Sequence, residues 1–237
     1  MHFGFLDPNA CLGRRYASVG LSIKNFDLKF LSFPSISSQV VGEFCTPEIK
    51  AKTLSLISAL QNHFGHKRGM TVKFESFPPR HCGFGTGTQL ALATAKSFCY
   101  HNNLPFSSNN LSQIIGRGNR SGIGIGAFKN GGFLIDGGKG NYTYSPPVLV
   151  QKKFPNKWKI LLILDPTKVG LHGDKEKEAI KQLPEFEEKL SSHLCHEILL
   201  RVLPAVIEKD FKAFVIGLNQ IQKIMGNYFS TAQGGSA

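Results

Sequence analysis

Residues 78–98 read PPRHCGFGTGTQLALATAKSF, with Gly83, Gly85 and Gly87 falling within five positions just ahead of a helix-forming run. Glycine lets backbone approach a ligand closely, and the first turn of a helix leaves amides unpaired at its positive end. That combination suits an anion, phosphate above all. Thr86 and Thr88 add hydroxyl donors and Arg80 adds a guanidinium. The segment is not a Walker A loop, since no Gly-Lys-Ser/Thr follows, and its third glycine comes too soon for GxGxxG. A tight turn without a ligand is the alternative.

A second glycine-rich segment, GRGNRSGIGIGAFKNGGFLIDGG, spans 116–138. Arg117, Arg120, Lys129 and Lys139 lie in or beside it, and between residues 71 and 141 seven Lys/Arg face only Glu75 and Asp136. Arginine forks grip phosphate bidentately, so two glycine loops with arginines suit a ligand carrying more than one phosphate. Nucleic acid is the competing anion, but the aromatics form no stacking motif and no nucleic-acid module pattern is present. Asp136, between FLI and GG, reads as a magnesium ligand or the cap of the following turn. Asp7, in HFGFLDP, reads as a metal ligand or an Asp-Pro turn.

The composition is that of an ordinary globular protein: 237 residues, 41% hydrophobic and 19% charged. The formal charge of +12 calls for an anionic partner or a solvated lysine surface. Five widely spaced cysteines without CxxC fit neither a disulfide framework nor a zinc site. His193 and His196 have no third ligand placed near them in sequence. No signal peptide or spanning apolar run is read, so a cytoplasmic protein without a membrane partner is expected.

The elements that must position these residues follow from periodicity. Residues 16–33 predict two strands, paired as a hairpin. Residues 46–65 predict a helix capped by Thr46, with Pro47 in its first turn and Gly65 at its stop. A strand is expected at 71–77, helices at 88–100 and 110–116, a strand at FLI, and a buried strand at KWKILLIL, 157–164. Helices are expected at 174–183, 185–203 and 209–225, with a break near Pro204. A domain boundary is placed near residue 150, at Pro146-Pro147, giving domains 1–150 and 151–237.

PPRHCGFGTGTQLALATA resembles the phosphate-loop motif of the GHMP kinase superfamily, roughly P-x-x-x-G-L-G-S-S-A, with Thr86-Gly87 replacing the serine pair. SGIGIGAFKNGG, 121–132, falls where those kinases carry SGID…GG, and Gly124 takes the place of the aspartate. That carboxylate serves phosphoryl transfer, and glycine does not replace it. Within the superfamily the chain is similar to the beta-ribofuranosylaminobenzene 5'-phosphate synthase branch, through HFGFLDPNACLGRRYASVGL (2–21), GFGTGTQLALA (83–93), residues 116–138, GLHGDKEKEAI (170–180) and GNYFSTAQGG (226–235).

The resemblance implies an α+β, GHMP-kinase-like two-domain fold: an N-terminal mixed α/β domain and a ferredoxin-like C-terminal domain. The latter reads as incomplete, because relatives continue past GNYFSTAQGG; dimer contacts would be one way to cover what this exposes. It also implies a decarboxylating phosphoribosyltransferase that joins 4-aminobenzoate (or 4-hydroxybenzoate) to 5-phosphoribosyl diphosphate, with magnesium. Gly83, Gly85, Thr86, Gly87, Thr88 and Arg80 are then the diphosphate contacts. Arg117, Arg120 and Ser121 support the departing charge, Asp136 and Asp7 are metal ligands, and His172 meets a carboxylate or the ribose phosphate. Arg14 and Arg15 are candidates for the 5-phosphate, and Lys129 departs from an acid common in the branch. A small-molecule kinase and an inactive phosphate-binding remnant are the alternatives.

Overall fold

The computed structural model describes residues 1–79, 83–164, 178–180 and 182–233. Two sheets organise them. The first has the order β1 (His2–Asp7), β2 (Tyr16–Leu21), β6 (Phe133–Asp136), β7 (Val148–Lys152), antiparallel throughout. The second places β5 (Gly69–Ser76) between antiparallel β3 (Lys29–Ser35) and parallel β4 (Gln39–Val41). The two strands expected within 16–33 do exist, but they are not a hairpin. Tyr16–Leu21 pairs with β1 and β6, while the later strand pairs with β5. The first run found β1 close by in sequence and β6 far from it, and the second found β5.

Helix α1 (Pro47–Phe64) forms as its ends dictate. Thr46 accepts a hydrogen bond from the Ile49 amide, and Gly65 closes the helix at φ 66°. Its inner stripe of Ile49, Thr53, Leu56 and Leu60 packs with α2 (Thr86–His101), α3 (Ser108–Ile114) and the second sheet. Phe98, Leu90, Leu60 and Val72 are fully buried in this core.

The second core lies on the first sheet and draws on elements on both sides of residue 150. Leu6, Val19, Leu21, Phe133 and Ile135 pack with Leu194, Ile198, Val202, Phe214 and Ile221. The latter belong to α5 (Glu188–Glu197), a π-helical segment (Ile198–Val202) and α7 (Phe211–Gln233). A short α6 (Leu203–Glu208) links them. Pro204 does not break the helix. It has no N–H to give, and the preceding turn widens so that the Leu203 amide reaches the Ile198 carbonyl. The chain instead turns at Lys209, φ 64°, after which Asp210 accepts from the Ala213 amide. Glu188–Glu208 is long and apolar enough to meet the length and composition of a membrane span, contrary to the sequence expectation, but its Leu194, Ile198, Val202 and Val206 are core residues.

The expected strand at 157–164 is not formed. Leu161 and Ile163 are 84% and 88% exposed, and the segment pairs with no strand among the described residues. An apolar run of this kind is buried only where a sheet offers it an edge. Helix 174–183 lies outside the described residues except for a helical Glu178–Ile180.

Candidate functional site

The first glycine segment presents its backbone to open space. Gly83 and Gly85 take φ 73° and 67°, and a Cβ on either would meet nothing within 4 Å. Gly85 is the N-cap of α2, whose first turn carries no acid. Gly87 lies one step in. A Cβ there would sit 3.3 Å from Lys52 Nζ and 3.4 Å from an Arg117 guanidinium nitrogen. Two cations from separate elements, α1 and the loop after α3, thus converge on the positive end of α2. Arg117 is half-buried, and this burial pulls its pKa below the ordinary value. Lys52 is the residue that sequence reasoning missed. It lies more than thirty positions before the loop, off the buried stripe of α1, with no local pattern to mark it.

The second glycine segment is not a second phosphate loop. Residues Ile123–Asn130 form helix α4, and its glycines are contact points. A Cβ at Gly122 would strike the Pro146 carbonyl oxygen. At Gly124 it would lie 2.9 Å from Thr88 Cγ2, and at Gly126 2.5 Å from Leu134 Cδ2. The small residues let α4 settle against α2, β6 and the turn before β7. Gln89 Nε2 donates to the Gly124 carbonyl at 2.8 Å, which locks the two helices together. Thr88 therefore faces α4, while Gly83, Gly85 and Gly87 face the open end of α2.

Asp136 anchors this arrangement. It is 1% exposed, and its Oδ1 accepts from the amides of Ser18 (3.1 Å) and Gly138 (3.0 Å). Its Oδ2 accepts from the Gly122 amide (2.8 Å), from Ser121 Oγ (3.0 Å) and from Ser18 Oγ. Ser121 Oγ in turn accepts from the Ile123 amide at the start of α4. Asp7, 2% exposed, accepts from the amides of Cys11 (3.0 Å) and Leu12 (2.7 Å) and from Ser191 Oγ (3.3 Å). A carboxylate offers about four lone-pair sites. The chain itself fills those of Asp136 and most of those of Asp7. Neither fits a magnesium ion, and no cluster of three His, Cys, Asp or Glu side chains suited to a metal occurs among the described residues. The metal assignments of Asp136 and Asp7 are corrected accordingly: both are buckles of the fold, as is Ser121.

The remaining candidates separate in the same way. Arg14 donates to the carbonyls of Gly137 (2.5 Å) and Gly138 (2.9 Å), and Arg15 donates to the Pro8 carbonyl and lies over the Tyr16 ring. Both stitch loops. Lys129 is exposed and donates to Asn109. Arg120 is half-buried in the loop leading to α4. Arg80 and His172 lie outside the described residues.

Beside the glycine loop is a cavity of about 280 Å³ whose lining includes Phe26, Leu28, Phe84, Thr86, Gln89 and Phe128. Phe26 and Phe84 stack with ring centroids 5.2 Å apart.

This geometry has known counterparts. The family of GHMP kinases N terminal domains matches residues 51–132, which take in most of α1, the open glycine loop, α2 and α4. The fold is similar to that of mevalonate diphosphate decarboxylase from Staphylococcus aureus, at TM-score 0.61 and 11% identity over 100% of this chain and 73% of that one. The chain thus has an α+β, GHMP-kinase-like fold. Its likeness to Streptococcus pneumoniae phosphomevalonate kinase has a TM-score of 0.57 at 9% identity, covering 96% of this chain and 76% of the other. In sequence the chain is similar to the beta-ribofuranosylphenol 5'-phosphate synthases of Methanothermobacter thermautotrophicus (28% identical) and Methanocaldococcus jannaschii (29%). Each match covers 94% of this chain and about three quarters of the relative, 73% and 74% respectively.

Proposed function

We propose that this chain is a decarboxylating phosphoribosyltransferase acting in the cytoplasm, which joins 5-phosphoribosyl diphosphate to a para-substituted benzoate. The open amides of Gly83, Gly85 and Gly87, with Lys52 and Arg117, hold the diphosphate. As the bond from the anomeric carbon to the diphosphate oxygen breaks, its electron pair leaves with the diphosphate. The gathered donors stabilise that charge where it develops. The ring carbon bearing the carboxylate attacks the anomeric carbon. The carbon–carboxylate bond then breaks, its electrons restore the aromatic ring, and carbon dioxide departs. No proton is taken from the acceptor, so no catalytic base is required. A magnesium ion would supply further positive charge to the departing diphosphate and would be held by the substrate's own phosphate oxygens rather than by Asp136 or Asp7.

The observation that carries this reading against a kinase is the contact of Gly124 with Thr88. The place of the kinase aspartate holds a glycine, and the adjoining space is filled by the threonine methyl. The names of the relatives support a phenol as the acceptor product, hence 4-hydroxybenzoate; 4-aminobenzoate differs only in its para donor. The test is to offer the purified protein ATP with small alcohols and, separately, the ribosyl donor with each benzoate. Diphosphate formation in the second set alone is expected. ATP turnover dependent on an alcohol would overturn the reading.

A further inference from the structure

The cavity beside the glycine loop shares Phe84 and Thr86 with the proposed anion site. Its walls are Phe26, Phe84, Phe128, Leu28 and Ala93, with polar atoms from Ser22, Asp27, Thr86 and Gln89 among its lining residues. At about 280 Å³ it lies at the small end of ligand pockets, which run to about 300–1,000 Å³. That volume suits one ring better than a nucleoside. Phe84 and Thr86 belong both to this wall and to the segment whose amides face the anion. A molecule here touches whatever is bound at the mouth of α2.

We propose that this cavity is the acceptor subsite, holding the benzoate ring against the Phe26–Phe84 pair with its carboxylate-bearing carbon towards the glycine loop. This rests on the transferase reading above. Aromatic faces favour an electron-rich ring held offset or edge-on, and such contacts orient it without consuming its para donor. Apolar walls also favour loss of the carboxylate, because a desolvated carboxylate is less stable than neutral carbon dioxide. The β2–β3 connection, which carries Phe26 and Asp27, thereby becomes the element that selects the acceptor.

The experiment is calorimetric titration of the full chain with 4-hydroxybenzoate and 4-aminobenzoate in the presence of inorganic diphosphate, repeated with Phe26→Ala and Ala93→Leu. The first variant removes a wall and the second fills the cavity. Both are expected to weaken benzoate binding by about tenfold or more, while the diphosphate Kd stays within about twofold. Thermal melting of each variant identifies any that misfolds, and the other then decides. Unchanged benzoate binding in a folded variant would overturn the subsite, as would diphosphate binding by the unaltered protein with no benzoate binding. Benzoate binding lost in both variants but without turnover in the unaltered protein would retain the subsite and reject the transferase reading.

Discussion

Gly124 and Thr88 are packed so closely that a Cβ on the glycine would fall 2.9 Å from the threonine Cγ2. The contact joins α4 to α2, the helix that begins at the open glycine loop. Gly124→Asp is therefore expected to destabilise the protein by about 1–3 kcal/mol, through overpacking and a poorly solvated charge. It should not create ATP turnover. Thr88→Ala in the same chain should recover part of the loss, read from denaturant midpoints at constant m-value. Equal stability of the single variant and the parent would contradict the packing.

Lys52 and Arg117 are expected to act on the same ligand from two elements. Replacing either by methionine should weaken inorganic diphosphate binding by about ten- to a hundredfold, as loss of a charge-assisted hydrogen bond of about 1.5–3 kcal/mol implies. Arg117→Lys should recover only part of this, because the planar fork is lost. Isothermal titration at two salt concentrations measures both effects.

Asp136→Asn replaces an acceptor atom with a donor facing donors. With the Ser18, Gly122 and Gly138 amides left short of partners, a loss of about 3 kcal/mol or more is expected in chemical denaturation. If the carboxylate were instead a metal ligand, chelator would lower the melting temperature of the unaltered protein. The structure predicts no shift on adding EDTA to protein free of phosphates.

Much of the scaffold was legible because local chemistry decided it. Thr46, Pro47 and Gly65 bounded α1, and the glycine loop ahead of α2 declared an open helix end. What sequence could not separate was glycine for ligand approach from glycine for packing. Gly85 and Gly124 are the same residue in similar surroundings along the chain, yet one meets nothing within 4 Å and the other meets Thr88. Asp136 was visible as important, but its five donors come from β2, the start of α4 and the turn after β6, which only the fold assembles. Lys52 was invisible for the same reason. KWKILLIL misled because an apolar run specifies burial only when a partner strand is present.

That run carries its own prediction. Leu161→Lys with Ile163→Lys should leave folding stability within about 0.5 kcal/mol, since both side chains are exposed, while reducing self-association in light scattering. A large loss of stability would show the segment to be packed.

Carbon dioxide release distinguishes the transferase from a protein that only binds phosphates. Carboxyl-labelled 4-hydroxybenzoate and 4-aminobenzoate are supplied separately with 5-phosphoribosyl diphosphate and magnesium, and labelled carbon dioxide and diphosphate are counted together. Equal amounts of both are expected, formed only when donor and benzoate are present. Folded protein that binds diphosphate yet releases no labelled carbon dioxide from either acid would contradict it.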